Sequence, residues 1–506
     1  MPDAEPEPVT PGPEPVAPGP DSVAPGPDSV GPGPQAWAEH LLTECELPPL
    51  PLPLTTHWPD PTPATGAQRW AASGAMALTG ASDGAPLLPP VDLATAADGA
   101  ALAFSVLVDL VSGFDPGPRS NPETKSGPSL DGAGLLGERA AILGLTRRGA
   151  VTAGGSTRLL PAADGWVAIG LRRPDDVDLV PALIGRAVAD HRDPWPELAG
   201  WLLGCGADEA VARAQLLGLP AGTRIDDPSI TEKPWQINYF NKPGNENPVP
   251  ARTQPALTSS VNRLGNSWPG SNRPLVLDLS TLWAGPLATS LLLTAGIDVI
   301  KVESPDRPDG SRGGPSRFHN LLNAGKLSVA ARLDGPLVRD LVERADLVVT
   351  SARPRALEQL GLVPAPGRSW LTVTGYGWTG PRRNWVAYGD DAAVAAGLWA
   401  GPPSAPVFCG DAVADPLTGL HAAVAALAVL ISSRHGGRAA HLDLSLHQVA
   451  AHLKARLPRV LPQPPTPGDR NPDALVFRPP RARPSRGVAS RLGADQEHPL
   501  VRGERA

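Results

Sequence analysis

Between residues 274 and 450 short aliphatic runs alternate with longer stretches whose apolar positions recur at helical spacing. The runs at 275–279 (LVLDL), 299–302 (VIKV), 347–350 (LVVT) and 371–374 (LTVT) are β-branched or aliphatic and end at turn residues, which predicts four strands. Residues 287–295 predict a helix between the first two. Strands separated by helices imply βαβ units, hence an α/β fold with an open, mostly parallel, Rossmann-like sheet flanked by helices. Ligands of such sheets sit beyond the strand C-termini. That rule gathers the turn 280–286, the loop 303–312 and the loop 374–381 around one crevice. The segment GLHAAVAALAVLISS is Ala-rich, contains His421 and is too short to span a bilayer, so it predicts a buried core helix.

Elsewhere the periodicity fades. Residues 1–35 repeat a Pro-Gly-Pro unit and hold too few apolar residues to offset the entropy of ordering, which predicts a disordered, partly extended arm. Residues 223–272 are rich in Pro, Asn and Ser and predict a long linker; residues 458–506 are rich in Arg and Pro and predict a poorly ordered tail. An internal repeat relates the segment from Ala72 to the segment from Ala395. Gly74 matches Gly397, Gly99 matches Gly419, and an Ala/Leu/Val helix follows in both copies. Thr95 stands where the second copy has Asp415. The expected organisation is therefore a 1–35 arm, a degenerate half at 36–222 that includes a smaller α/β domain, a 223–272 linker, the main domain at 273–457 and a 458–506 tail.

The formal charge of −7 is spread over both signs without long basic runs, which argues against a nucleic-acid surface. The three cysteines, Cys45, Cys205 and Cys409, form no CxxC pair and no zinc spacing. The first residues carry neither a basic region nor an apolar core, so no secretion signal and no membrane association are expected, and a cytoplasmic location is the default.

Two features carry candidate chemistry. The turn STLWAGP has neither dinucleotide-loop nor phosphate-loop spacing, and by pattern alone is an ordinary helix start. Asp415 stands ahead of the long apolar helix, where by pattern alone an aspartate is an N-cap; Asp411 nearby reads as structural. Taken with their neighbours, these features resemble a known family. VLDLSTLWAGPLATSLLLTAGIDVIKVESP, NAGKLSV, ADLVVTSARPRALEQLGL, TVTGYGWTGP, the Asp415 segment and RHGGRAAHLDLSL follow one another in the order found in family III CoA-transferases, the family of the carnitine and bile-acid-inducible CoA enzymes.

The resemblance implies an enzyme that moves CoA between carboxylic acids through an aspartyl-CoA thioester, with Asp415 as the nucleophile. Coenzyme A or acyl-CoA is implied as substrate, with a carboxylic acid as its partner and no metal. Trp283 and Ala284 fall where the family's turn touches the CoA chain, Lys326 in the segment that approaches the nucleotide, and Ala352 and Arg353 near the CoA diphosphate. Gln359 departs from a frequent arginine, and Ser351-Ala352 replaces an Asn-Phe pair. Helix amides near Thr418 and Gly419 are expected to stabilise oxyanions, and Gly154 and Gly155 are candidates for a loop shielding the site. The family's interlocked dimers imply a homo-oligomer. A non-catalytic CoA-binding or regulatory protein is the alternative. An isomerase or racemase is disfavoured because Gly389-Asp390 stands where family racemases carry a His-Asp pair, while His421 and His447 read as packed helix residues.

Overall fold

The computed structural model describes residues 33–46, 65–112, 130–190, 192–227, 232–240, 268, 273–434, 437–460 and 477–504. Most of the expected N-terminal arm and most of the expected linker lie outside these residues. In chain order the strands are β1 Thr157–Pro161, β2 Trp166–Gly170, β3 Ala221–Gly222, β4 Gln236–Tyr239, β5 Leu275–Leu279, β6 Asp298–Glu303, β7 Leu327–Ala330, β8 Leu347–Thr350, β9 Ser369–Thr374, β10 Trp399–Ala400, β11 Val407–Phe408 and β12 Ala440–Ser445.

The main sheet has seven strands in the order β4-β12-β9-β8-β5-β6-β7. All neighbours are parallel except the edge strand β4, which pairs antiparallel with β12. Central strands β5, β8 and β9 are buried at every position, as expected of aliphatic strands covered on both faces. One face packs against the helices Ala284–Leu292 and Ala414–Arg434. The other packs against Pro336–Arg344 and Pro354–Leu360, through Val338, Leu341 and Leu357. The strands β1–β3 form a separate antiparallel sheet whose apolar cluster includes Val167, Leu183, Leu198 and Val211.

The internal repeat has a geometric counterpart. Helix Pro34–Glu44 packs on helix Leu93–Ser112 as Ala284–Leu292 packs on Ala414–Arg434. A Cβ at Gly99 would lie 2.7 Å from the Pro34 carbonyl oxygen, and one at Gly419 would lie 2.8 Å from that of Ala284. Glycine is needed at both crossings because the backbones touch. Gly74 and Gly397 both follow a helix with φ near +80° (86° and 77°). The two long helices are apolar and long enough to cross a membrane, but they pack on each other inside a single core shared by both halves.

Two expectations are corrected. Residues 236–239 of the expected linker form edge strand β4, anchored by the buried Trp235. Residues 477–504 of the expected loose tail pack as a strap. Asp495 exchanges two backbone-directed bonds with Ser328 at 2.7 and 3.0 Å, and Gln496 bonds both the amide and the carbonyl of Ala330. The strap thereby covers the otherwise open edge of β7. Arg483 adds an ion pair to Glu138. The local composition is polar because these residues bond a sheet edge and a helix end, and do not fill a core.

Candidate active site

The parallel strands run outward from β5 in opposite directions, to β6 and β7 on one side and to β8, β9 and β12 on the other. The crevice outside the C-terminal ends of β5 and β8 is therefore the switch point where ligands of such sheets bind. The two strand exits are tied together: the Thr281 amide donates to Ser351 Oγ at 3.0 Å. Leu282 follows with φ +70°, a conformation that costs a leucine steric energy. It is held there by an amide bond to Asp309 Oδ1 and its side chain faces solvent. Trp283 is buried, and Ala284 opens the helix.

Asp415 lies in the first turn of helix Ala414–Arg434, which crosses this turn at Gly419. Its carboxylate is partly accessible. Oδ2 accepts the Gly389 amide at 2.9 Å, and its own amide donates to the Ala412 carbonyl at 2.8 Å. Oδ1 makes no hydrogen bond among the described residues. Ala412 is held at φ +45°, with its amide donating to Asp390 Oδ1 at 2.8 Å. A Cβ at Gly389 would lie 2.5 Å from Asp415 Oδ2 and would also overlap the Ala412 carbonyl, so only glycine fits.

The cations come from the first half of the chain. Arg172, just beyond β2, pairs with Asp390 at 2.6 Å and stacks over the Tyr388 ring at 4.4 Å. Arg139 forms a two-point pair with Asp411 and lies 5.5 Å over the Trp283 ring. The surrounding protein pushes the Asp415 carboxyl up to about 6: loss of solvent raises it, while the Gly389 amide, Arg172 and Arg139 limit the rise. Two buried polar atoms nearby, Trp283 Nε1 and Thr418 Oγ1, have no partner among the described residues. Buried donors of this kind are costly unless something else bonds them.

Of the residues singled out in the sequence, Trp283 and Ala284 lie at the turn that the Asp415 helix crosses at Gly419, and Ala352 and Arg353 follow the β8 exit. Arg353 makes no ion pair among the described residues. Burial and the neighbouring guanidinium groups of Arg173, Arg307 and Arg355 lower its pKa. Together with Arg173, Arg355, Gln359 and Asn384 it lines a cavity of about 860 Å³ between the halves. Gly154, from the candidate shielding loop, sits against Arg139: a Cβ there would lie 3.4 Å from Nη2. Asp411 is fully buried and paired, in the structural role expected of it. His421 and His447 are buried, and burial lowers both to about 4.

Three expectations are corrected. Lys326 does not face the crevice. Its ammonium is buried beneath the turn and bonds Asp278, Thr289 Oγ1, the Pro286 carbonyl and Asn323 at 2.7–3.0 Å, leaving nothing for a phosphate. Burial would raise the Asp278 carboxyl, yet Lys326 and Lys301 overcome that and hold it low. The amides of Thr418 and Gly419 lie inside a helix that already begins at Ala414, beyond the first turn where amides are free. Thr95, the sequence counterpart of Asp415, bonds Asp92, and it is Asp92 that Gly66 faces as Gly389 faces Asp415. Arg69 closes that first-half cluster with a bond to each.

Sequence reasoning missed Arg139, Arg172 and the strained Leu282 and Ala412. Arg172 is 218 residues from Asp390 and Arg139 is 272 from Asp411, so no local pattern links them. Among the described residues no cluster of three or more His, Cys, Asp or Glu side chains could hold a metal ion.

Residues 274–474 match the family profile described as CoA-transferase family III. This segment is similar to family III CoA-transferases. The succinate–glutarate CoA-transferase of Agrobacterium fabrum is 32% identical over 206 residues, covering 36% of this chain and 52% of that protein. The human succinyl-CoA:glutarate CoA-transferase is 33% identical over 204 residues, covering 36% and 47%. A crystal structure of a CAIB/BAIF family protein from Brucella suis is 29% identical and covers 35% of this chain and 53% of that one, with a TM-score of 0.33. The chain spans about half the length of the curated relatives it matches.

Proposed function

We propose that the protein is a CoA-transferase that exchanges CoA between carboxylic acids, with Asp415 as nucleophile. The observation that carries this reading is the setting of Asp415. It is a partly accessible carboxylate, held by backbone on one oxygen and free on the other, at the switch-point crevice of a family III segment.

In the proposed sequence, Asp415 Oδ1 attacks the donor's thioester carbonyl and expels CoA thiolate, leaving a mixed anhydride. The thiolate attacks the Asp415 carbonyl and releases the donor acid, leaving an aspartyl-CoA thioester. The acceptor carboxylate attacks that thioester and forms a second anhydride with loss of thiolate. The thiolate then takes the acceptor's acyl group and frees Asp415. No step consumes water or a net proton: each swaps a carboxylate and a thiolate at an acyl carbon, and each anhydride formed is consumed by the thiolate just released, so the overall exchange of one acid for another on CoA is close to balanced.

The chain's own groups have definable parts in this scheme. Gly389 fixes Oδ2 and so aims Oδ1. Thr418 Oγ1, one helical turn beyond Asp415, and Trp283 Nε1, in the turn that the helix crosses, are buried donors without a partner among the described residues and would receive charge developing on the carbonyl oxygen. Arg353, which makes no ion pair among the described residues and has Arg173, Arg307 and Arg355 as neighbours, suits the phosphates of CoA, which a guanidinium can grip in two-point fashion. The named acids of the relatives include succinate, glutarate, citramalate, malate and oxalate, so short dicarboxylates are the first substrates to test. A racemase reading gains no support, since position 389 has no room for a side chain.

Incubation with succinyl-CoA, glutaryl-CoA and their free acids, followed by intact-mass measurement, tests the reading. A covalent CoA adduct is expected on the native protein and not on Asp415→Ala. CoA binding with no adduct from any acyl-CoA would favour the non-catalytic alternative, which the altered Ser351, Ala352 and Gln359 positions motivate.

A further inference from the structure

The two halves of the chain meet at the candidate nucleophile through an arginine that no motif marks. Arg172 leaves β2 with its backbone anchored, its amide donating to the buried Asp176 at 2.8 Å. Its side chain is only 14% exposed and pairs with Asp390, itself 3% exposed. Asp390 touches both supports of Asp415. Its Oδ1 accepts the Ala412 amide, and the Ala412 carbonyl accepts the Asp415 amide. The residue before it, Gly389, donates to Asp415 Oδ2, and Tyr388, one further back, lies under the Arg172 guanidinium. Arg172 thus grips the 388–390 segment on both sides of the glycine that aims the carboxylate.

We propose that Arg172 is a positioning residue for Asp415, acting through Asp390 and Tyr388 to fix the Gly389 amide and the strained Ala412 turn. The proposal rests on the reading of Asp415 as nucleophile. The strained φ at Ala412 needs an over-determined surrounding to persist, and the Asp390 bond is what holds that peptide. Without a guanidinium, Asp390 is a buried carboxylate that has lost its ion pair, and it relaxes by leaving the Ala412 amide. The other charged groups around Asp415 do not replace it. Arg139 is committed to Asp411, and Asp391 is engaged by the Tyr388 amide. Arg69, in the first-half cluster, is committed to Asp92 and Thr95.

The test follows Asp415 directly, by carbon NMR of protein carrying labelled aspartate carboxyls with D415N for assignment, alongside the adduct rate and the CoA dissociation constant. In Arg172→Ala the Asp415 midpoint should rise by about one pH unit, since both a nearby cation and an amide bond weaken. The adduct rate at neutral pH should fall at least about tenfold while CoA affinity stays within about twofold, because the loss is one of orientation. Added guanidinium ion should restore part of the rate. Arg172→Lys keeps the charge but not the fork or the stacking, so its midpoint should stay close to that of the native protein while its rate falls. This variant decides the matter if the alanine protein does not fold. A folded Arg172→Ala protein, or an Arg172→Lys protein, with native midpoint and native rate would overturn the proposal. So would a loss confined to CoA affinity. If the native protein forms no adduct, the reading of Asp415 as nucleophile fails on that result alone, while the midpoint in Arg172→Ala still decides whether Arg172 positions the carboxylate.

Discussion

The Gly389 amide donates to Asp415 Oδ2 at 2.9 Å, and no side chain can be added at 389 without entering the space of that carboxylate. The close approach explains why glycine stands where an imidazole would serve a racemase. It also makes the pair testable. Gly389→Ala must push Asp415 or the Ala412 turn aside, and we expect the adduct rate to drop about a hundredfold. CoA affinity, measured by calorimetry, should hardly change, because the arginines proposed to hold its phosphates line a separate cavity.

A carboxyl pushed up to about 6 by its surroundings sets a pH dependence. The nucleophile must be ionised, so the adduct rate should fall about tenfold per unit below pH 6 and reach a plateau above it. A plateau extending down to pH 4 would show that Asp415 is solvated like an ordinary surface carboxylate.

The same shift has a stability consequence of opposite sign. The folded state holds the Asp415 proton more tightly than the unfolded chain. Folding is therefore penalised as pH rises through the window between the ordinary carboxyl value and about 6. Asp415→Asn removes the charge and keeps an oxygen for the Gly389 amide. We expect it to stabilise the protein by about 1–2 kcal/mol at neutral pH, a figure reduced for the partial exposure of the carboxylate. Urea midpoints of the two proteins, at neutral pH and at pH 4, check the sign. The gain should vanish in acid.

Lys326 and Arg353 should separate cleanly. Lys326→Ala leaves Asp278 buried beside one lysine where it had two, and we expect a loss of about 3–5 kcal/mol in stability. Arg353→Ala removes an exposed guanidinium with no partner among the described residues, so stability should be unchanged while CoA affinity falls about tenfold. Thermal unfolding and CoA binding measured on both variants give the two readouts. A Lys326 variant that folds normally and binds CoA weakly would reverse this assignment.

Four strands of the main sheet, β5, β6, β8 and β9, were legible because each holds a local aliphatic run between turn residues, and the observed β5 and β8 coincide with the runs at 275–279 and 347–350. Asp415 was legible as a carboxylate opening an apolar helix. The two glycines paired by the expected repeat, Gly99 and Gly419, each stand where helix backbones touch. Other parts of the site were not. Lys326 looked like a ligand-facing cation because nothing in NAGKLSV reveals that its ammonium turns inward onto Asp278, 48 residues upstream. Arg139 and Arg172 sit among unremarkable polar residues and gain meaning only from carboxylates more than 200 positions away. The strap and β4 were hidden because backbone-directed bonds to a sheet edge leave no hydrophobic period.

The most direct measurement of the central claim labels the acceptor acid with oxygen-18 in its carboxylate and lets the protein turn over with an acyl-CoA donor. In the proposed sequence the oxygen that bridges the second anhydride stays behind on the enzyme when CoA takes the acyl group. The peptide containing Asp415 should therefore gain a single labelled oxygen, placed on the Asp415 side chain by fragmentation, and Asp411 and Asp390 should gain none. Turnover with no label in Asp415 would contradict the account.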